Sequence, residues 1–167
     1  RVLDGELAVD HDPDPGAEPF HQVHLVGRED DGGALGGIAL EQVLDEFPSD
    51  AGALNDLGYL WIERGMHLQR GVSMAERAVA AEPDNPSYRD SLGWGYYQTG
   101  RYADAVRELS LASDKDPVGV ILDHLGDAHL RAGDGAKARA AWQKAAAAFE
   151  QDREMEKLAT VRKKLQE

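Results

Sequence analysis

Four groups of side chains in this 167-residue chain have types and spacings from which chemistry can be built. Asp10, Asp12 and Asp14 alternate as at the start of a calcium loop. The sixth position of such a loop needs Gly for its sharp turn and here is Pro15, and the twelfth needs a bidentate Glu and here is His21. His11, His21 and His24 beside those aspartates are zinc-ligand types without a regular element to hold them, so the run reads as a solvated acidic tail. Asp123, His124, Asp127 and His129 cluster in one helical stretch. His124 and Asp127, three apart, can share a face, whereas His129 falls on the core side, and no second group is fixed opposite them. Gly71-Val72-Ser73-Met74-Ala75 approaches a nucleophile elbow but lacks its last glycine and sits inside a helical pattern. With no cysteine, no phosphate loop and no dinucleotide fingerprint, the reading assigns no catalytic residue, no cofactor and no metal: the chain is not expected to be an enzyme.

The elements that would position these groups are announced by a repeat. Leu92-Gly93-Trp94, Gly100, Tyr102, Ala105, Ala112 and Pro117 form a pattern of small, aromatic and punctuating residues. Leu125-Gly126, Gly133, Ala138, Trp142 and Ala145 echo it downstream, and Leu57-Gly58, Gly65, Ala78 and Pro83 echo it upstream. A period near 34 is that of a helix–turn–helix unit that cannot bury its own apolar face, so copies must stack. Such a chain presents a surface and performs no reaction of its own.

Charge is unevenly placed. The formal net charge is −13, and residues 1–50 hold thirteen acids against Arg1 and Arg28. The repeats are close to neutral, and the acidic segment would repel a polyanion, so nucleic acid is not an expected partner. No apolar run approaches the ~20 residues needed to cross a bilayer, which argues against a membrane span. Arg1 in place of an initiating Met marks a processed or cut-down piece whose targeting signal would be missing. A soluble protein of the cytoplasm or a bacterial periplasm is expected; the compartment itself is not written in these residues.

Residues 1–34 are rich in Asp, Gly and Pro, with breakers at Asp12-Pro13-Asp14-Pro15-Gly16 and Asp30-Asp31-Gly32-Gly33, and read as an irregular or short-strand segment. Ile38, Leu40, Val43, Leu44 and Phe47 form the face of a helix ended by Pro48, so 35–50 reads as the second helix of a truncated unit. Asp50 can cap a helix over 51–64 that stops at Gly65, and a partner follows over 68–81. Asn85-Pro86 is a cap with proline at the first helical position, opening a helix to Thr99. The next runs over 102–114. Asp116-Pro117 is expected to repeat the device for a helix ending at Gly133, and Ala136–Phe149 completes the third pair. A last helix over 153–165 carries Met155, Leu158, Val161 and Leu165 on one side and Arg162, Lys163 and Lys164 on the other.

Residues 51–149 resemble the tetratricopeptide repeat in three consecutive units, worded most like bacterial members. In the middle unit the match covers Leu92, Gly93, Tyr96, Gly100, Tyr102, Ala105, Leu109, Ala112 and Pro117. The outer units depart from it: Trp61 and His129 hold the usual Tyr position, Gly71 the usual Ala, and Gly135 the Tyr of the second helix. Gly58 to Gly93 is 35 residues and Gly93 to Gly126 is 33, so one turn is longer and another shorter. The resemblance implies an all-α solenoid of stacked antiparallel helix pairs, with 150–167 as the solvating helix that ends the array.

It also implies that first helices line a concave groove. Carried over position by position, the groove comprises Asn55, Tyr59, Ile62 and Glu63; Ser87, Asp90, Trp94, Tyr97 and Gln98; and Val120, Asp123, Asp127, Leu130 and Arg131. The partner-binding set is Asn55, Tyr59, Asp90, Trp94, Tyr97, Asp123, Asp127 and Arg131. Trp94 and Tyr97 are the informative pair, because Tyr96 already takes the core position between them. The carboxylates would select a protein or peptide carrying basic residues. Family members that grip a C-terminal carboxylate do so with Lys and Arg, where this chain has Asn55, Ser87, Asp90, Val120 and His124, so that clamp is missing. The expected function is a protein–protein adaptor. The alternative is an assembly unit of a larger protein or homo-oligomer that associates through its ends, since half a unit at 35–47 leaves an apolar face in need of a cover.

Overall fold

A computed structural model describes residues 31–166. The aspartate run and the three histidines of the N-terminal segment, with its two short-strand candidates, lie outside the described residues. Within them the chain forms eight helices and no strand: α1 (Asp31–Glu46), α2 (Ala51–Glu63), α3 (Leu68–Ala81), α4 (Pro86–Gln98), α5 (Tyr102–Lys115), α6 (Gly119–Arg131), α7 (Gly135–Gln151) and α8 (Met155–Lys164). Each packs on its chain neighbours, and α2, α4 and α6 lie side by side along one face. The architecture is the helical solenoid expected.

Local chemistry sets most boundaries. Asp50 accepts from the Ala53 N–H at 2.7 Å and starts α2. Asn85 accepts from the N–H groups of Ser87 and Tyr88 at 3.1 and 3.4 Å ahead of Pro86, whose missing N–H costs nothing in a first turn. Gly65, Gly100 and Gly133 end α2, α4 and α6 at φ +64°, +80° and +90°, where a β-carbon would be strained.

Two boundaries differ from the pattern. The first helix begins at Asp31, so the glycine-rich residues before Leu35 continue the helix where a break was expected. Asp116-Pro117 does not cap α6: Asp116 closes α5, Val118 stands at the cap position without a side-chain bond, and α6 opens at Gly119. Gly119 lies against the Phe149 ring so closely that a β-carbon would overlap it, and this packing sets where α6 starts.

The crossings of the three pairs are built alike. Gly58, Gly93 and Gly126 each face the residue sixteen positions on: Met74, Leu109 and Trp142. A β-carbon on Gly93 would stand 2.6 Å from Leu109 Cγ, and one on Gly126 would overlap the Trp142 ring. In the first pair a β-carbon on Gly58 or Gly71 would fall 2.9 Å from the other's carbonyl oxygen. The glycine is constant while the side chain facing it changes from Met to Leu to Trp.

The core is continuous across units. Ile62, Val72 and Ala75 of the first pair pack with Leu92, Tyr96, Ala105 and Leu109 of the second and Leu125, Ala128 and Ala141 of the third. Gly95 permits this, since a β-carbon there would meet Ile62 Cδ1 at 2.8 Å and Val72 Cγ2 at 2.9 Å. At the far end Phe149, Leu158 and Val161 close the array, each burial contributing about 1.5–3 kcal/mol. At the near end Ile38 and Val43 of α1 and Phe47 just after it remain exposed, Phe47 by 57%. Met155, expected on the apolar side of α8, is 58% exposed, because Leu158 and Val161 already face α7 and Met155 sits beyond its end.

Candidate functional site

The residues that the resemblance assigns to the groove all lie on α2, α4 and α6, and all but the core residue Ile62 lie outside the hydrophobic core or at its edge. The centre of this face is a column of rings. Trp94 lies between Tyr97 and His124, with centroids 4.7 and 4.3 Å away and planes tilted by 6° and 14°. Tyr97 meets the edge of Tyr102 at 5.7 Å, and the Arg131 guanidinium sits over Tyr102 at 4.7 Å and donates to its hydroxyl. Trp94 Nε1 donates to Glu63 of the preceding unit at 3.0 Å. Trp94 therefore binds three units at once: Glu63 on α2, Tyr97 on its own helix and His124 on α6. Half-buried, it packs against both neighbouring units.

The carboxylates of this face are engaged within the chain. Asp90 receives His124 Nδ1 at 2.9 Å. Asp123 and Asp127 both accept from Lys164 Nζ at 2.8 Å, and Asp127 also accepts from Trp142 Nε1 at 3.1 Å. Burial alone would lower the His124 pKa, but the bond to Asp90 and the charges of Asp90, Asp123 and Asp127 outweigh it and raise it. Burial pushes Asp123 up despite the ammonium beside it. Lys164 is held above its usual value because its bonds to both aspartates outweigh its own burial. Tyr59 is pushed up to about 12, first by burial and then by the charges of Glu63 and Asp90.

Asn55 is buried, at 8% exposure, with Nδ2 donating to Asp56 Oδ1 at 3.0 Å. It lines a cavity of about 260 Å3 with Tyr59, Asp90, Asp116 and the Val118–Ile121 segment. Ile62, expected on the open groove, is fully buried in the core beneath Gly95, which leaves it nothing to present. Of the Asp123–His129 cluster, His124 turns to α4 while Asp123 and Asp127 turn to α8, so no joint site forms. His129 is half-buried away from them, with burial lowering its pKa.

Spacing missed two participants. Lys164 lies 37 residues beyond Asp127 and reaches the groove from α8, carrying no periodic signal. Glu63 was placed on the inner face without the indole bond it makes. On the opposite side of the units, Arg89 and the buried Glu108 form an ion pair, which Arg107 completes at 3.1 Å.

Comparison with known proteins agrees with this layout. A tetratricopeptide repeat family model matches residues 67–119. The TPR repeat-containing protein PA4667 of Pseudomonas aeruginosa is 35% identical over 88 residues, 53% of this chain, and the chain spans only 15% of that relative's length. Among solved structures, MamA from Desulfovibrio magneticus matches with a TM-score of 0.63 at 20% identity, over 72% of this chain and 68% of that one. The Sgt2 TPR domain from Aspergillus fumigatus matches with a TM-score of 0.59 at 22% identity, over 70% and 80%. The chain therefore contains tetratricopeptide repeats, matched by the family model over residues 67–119, and its helical stack is similar to the solved members above.

Proposed function

We propose that this protein is a non-catalytic adaptor that holds an extended or helical segment of a partner protein against the face formed by α2, α4 and α6. The observation that carries the reading is the Tyr97–Trp94–His124 column. It fixes three units relative to one another, so the face is rigid before a partner arrives and little ordering cost remains. Trp94 and Tyr97 stay half-buried, and Leu130 on the same face is 51% exposed, giving apolar anchors within a polar rim. Asp123 and Asp127 are already satisfied by Lys164, so a basic partner is selected by the first two units, around Asp90 and Glu63.

The test is capture of partner by Trp94→Ala and Tyr97→Ala chains, with circular dichroism alongside. Loss of capture by folded variants supports the groove; unchanged capture by folded variants overturns it.

A second reading, assembly through the ends of the array, is favoured by one observation. Val43 near the end of α1 and Phe47 just after it, four residues apart, are exposed side by side and leave an apolar edge open. Light scattering over a concentration series separates the two, since association through that edge is lost in Phe47→Asp and a groove adaptor is indifferent to it.

A further inference from the structure

We infer that the cavity around Asn55 and Asp90 takes the side-chain ammonium of a lysine in the partner segment, an inference that rests on the groove reading above. Asn55 Oδ1 is buried and meets no donor among the described residues. Its orientation is set by chemistry: a carboxylate only accepts, so the atom facing Asp56 must be Nδ2, and the carbonyl oxygen is the one left over. A buried acceptor without a donor is costly to keep, which makes it a place where a ligand gains.

The surroundings specify the donor. Asp90 and Asp116 line the same cavity and no lysine or arginine does. Asp116 has no ion pair among the described residues, and Asp90 is shared only with His124. A neutral amide would satisfy Asn55 and leave the field of the carboxylates unanswered, whereas a carboxylate or phosphate would be repelled. Val118, Val120 and Ile121 add apolar lining, which suits a tetramethylene stem that ends in a charge.

The chain also holds its own precedent. Asn55, Asp90 and Asp123 occupy the same position in successive units, each three residues before the crossing glycine. At the third of these, Asp123 and Asp127 grip Lys164 Nζ at 2.8 Å. That station is filled from within by a lysine, and the one between the first two units has carboxylates, a bond from His124 to Asp90, and no lysine or arginine in its lining.

The test uses the full chain, 15N-labelled, titrated with Nα-acetyl-lysine methylamide and followed through the Asn55 side-chain amide and the Ser91 backbone. Saturable shifts are expected, at least fivefold weaker with the Nα,Nε-diacetyl compound and weakened in Asp116→Asn, an exposed position where folding is not at risk. Equal binding of the diacetyl compound, or shifts confined to Asp123 and Asp127, overturns the inference. Glycine methylamide tests the other source of an ammonium, a chain N-terminus, and saturation by it as tight as by the lysine compound overturns the lysine assignment. The two readings fail separately: loss of partner capture in the Trp94 and Tyr97 variants with an unmoved Asn55 leaves the groove standing and removes the lysine station.

Discussion

The Trp94 indole lies flat against the His124 imidazole, 4.3 Å between centroids, while His124 Nδ1 is 2.9 Å from Asp90 one unit earlier. Protonation strengthens both contacts, since an imidazolium is attracted to the indole face and to the carboxylate. The charges that act on it are Asp90 from α4, which it bonds, and Asp123 and Asp127 on its own helix, which Lys164 of α8 bonds.

Stability is expected to fall as pH rises through the His124 transition. The folded pKa is raised above the ordinary value of 6.5, so the contribution is complete below that value and lost as pH climbs through the folded one. His129 acts in the other direction: its pKa is lowered, so its contribution is present above 6.5 and lost as pH drops. His124→Gln should cost about 1 kcal/mol near pH 6 and less by pH 9, from the lost ring contact and charged bond. Urea midpoints from pH 6 to 9 check this; parallel curves for the two proteins would refute it.

Lys164→Met should destabilise by roughly 1–3 kcal/mol at pH 7, because it leaves two half-buried carboxylates facing each other without their cation. The loss should shrink towards pH 4, where Asp123, already raised by burial, takes up a proton. A Lys164→Met chain equally destabilised at both pH values would show that other contacts of the lysine, such as its ammonium 5.8 Å from the Trp142 ring centre, matter more than its bonds to the aspartates.

The repeat, the helix pairs and the constant glycines were legible because each is a local rule repeated at fixed offsets. Gly58, Gly93 and Gly126 had to be small wherever two helices cross, and Gly65, Gly100 and Gly133 had to be glycine wherever the backbone turns left-handed. Gly95 was not legible: its smallness serves Ile62 and Val72 of the preceding unit, and spacing within one unit carries no record of its neighbour. The proposed groove positions came from the family resemblance, which carries no record of how each side chain is engaged. That Asp123 and Asp127 are spoken for depends on one lysine in an aperiodic terminal helix, and that Ile62 is sealed depends on Gly95.

Gly93→Ala should cost about 1–3 kcal/mol, since its β-carbon would stand 2.6 Å from Leu109 Cγ with the Leu109 backbone nitrogen behind it at 3.3 Å. Leu109→Ala, at a fully buried position, should cost about 2–5 kcal/mol. The double variant should be less destabilised than the sum of the two, because shortening Leu109 removes the clash. A double-mutant cycle read by urea unfolding measures that coupling, and strict additivity would mean that the crossing is set elsewhere.

Arg153→Gly should stabilise the chain by about 0.5–1 kcal/mol. The α7–α8 turn uses the same hydrogen bonds as the turns at Gly65, Gly100 and Gly133. Arg153 N–H donates to the Glu150 carbonyl at 3.3 Å and Glu154 N–H to Phe149 at 2.9 Å, as Gly133 N–H does to Leu130 and Asp134 N–H to His129. Arg153 thus stands where the repeats place glycine, at φ +60°, and it is a residue for which that region is strained. Its side chain forms no ion pair among the described residues, so little is lost with it. A raised urea midpoint at unchanged slope is the expected result. The same turn sets how α8 is directed, so the substitution should also leave the Lys164 bonds to Asp123 and Asp127 intact, and a fall in stability would mean that glycine's added freedom in the unfolded chain outweighs the relief of strain.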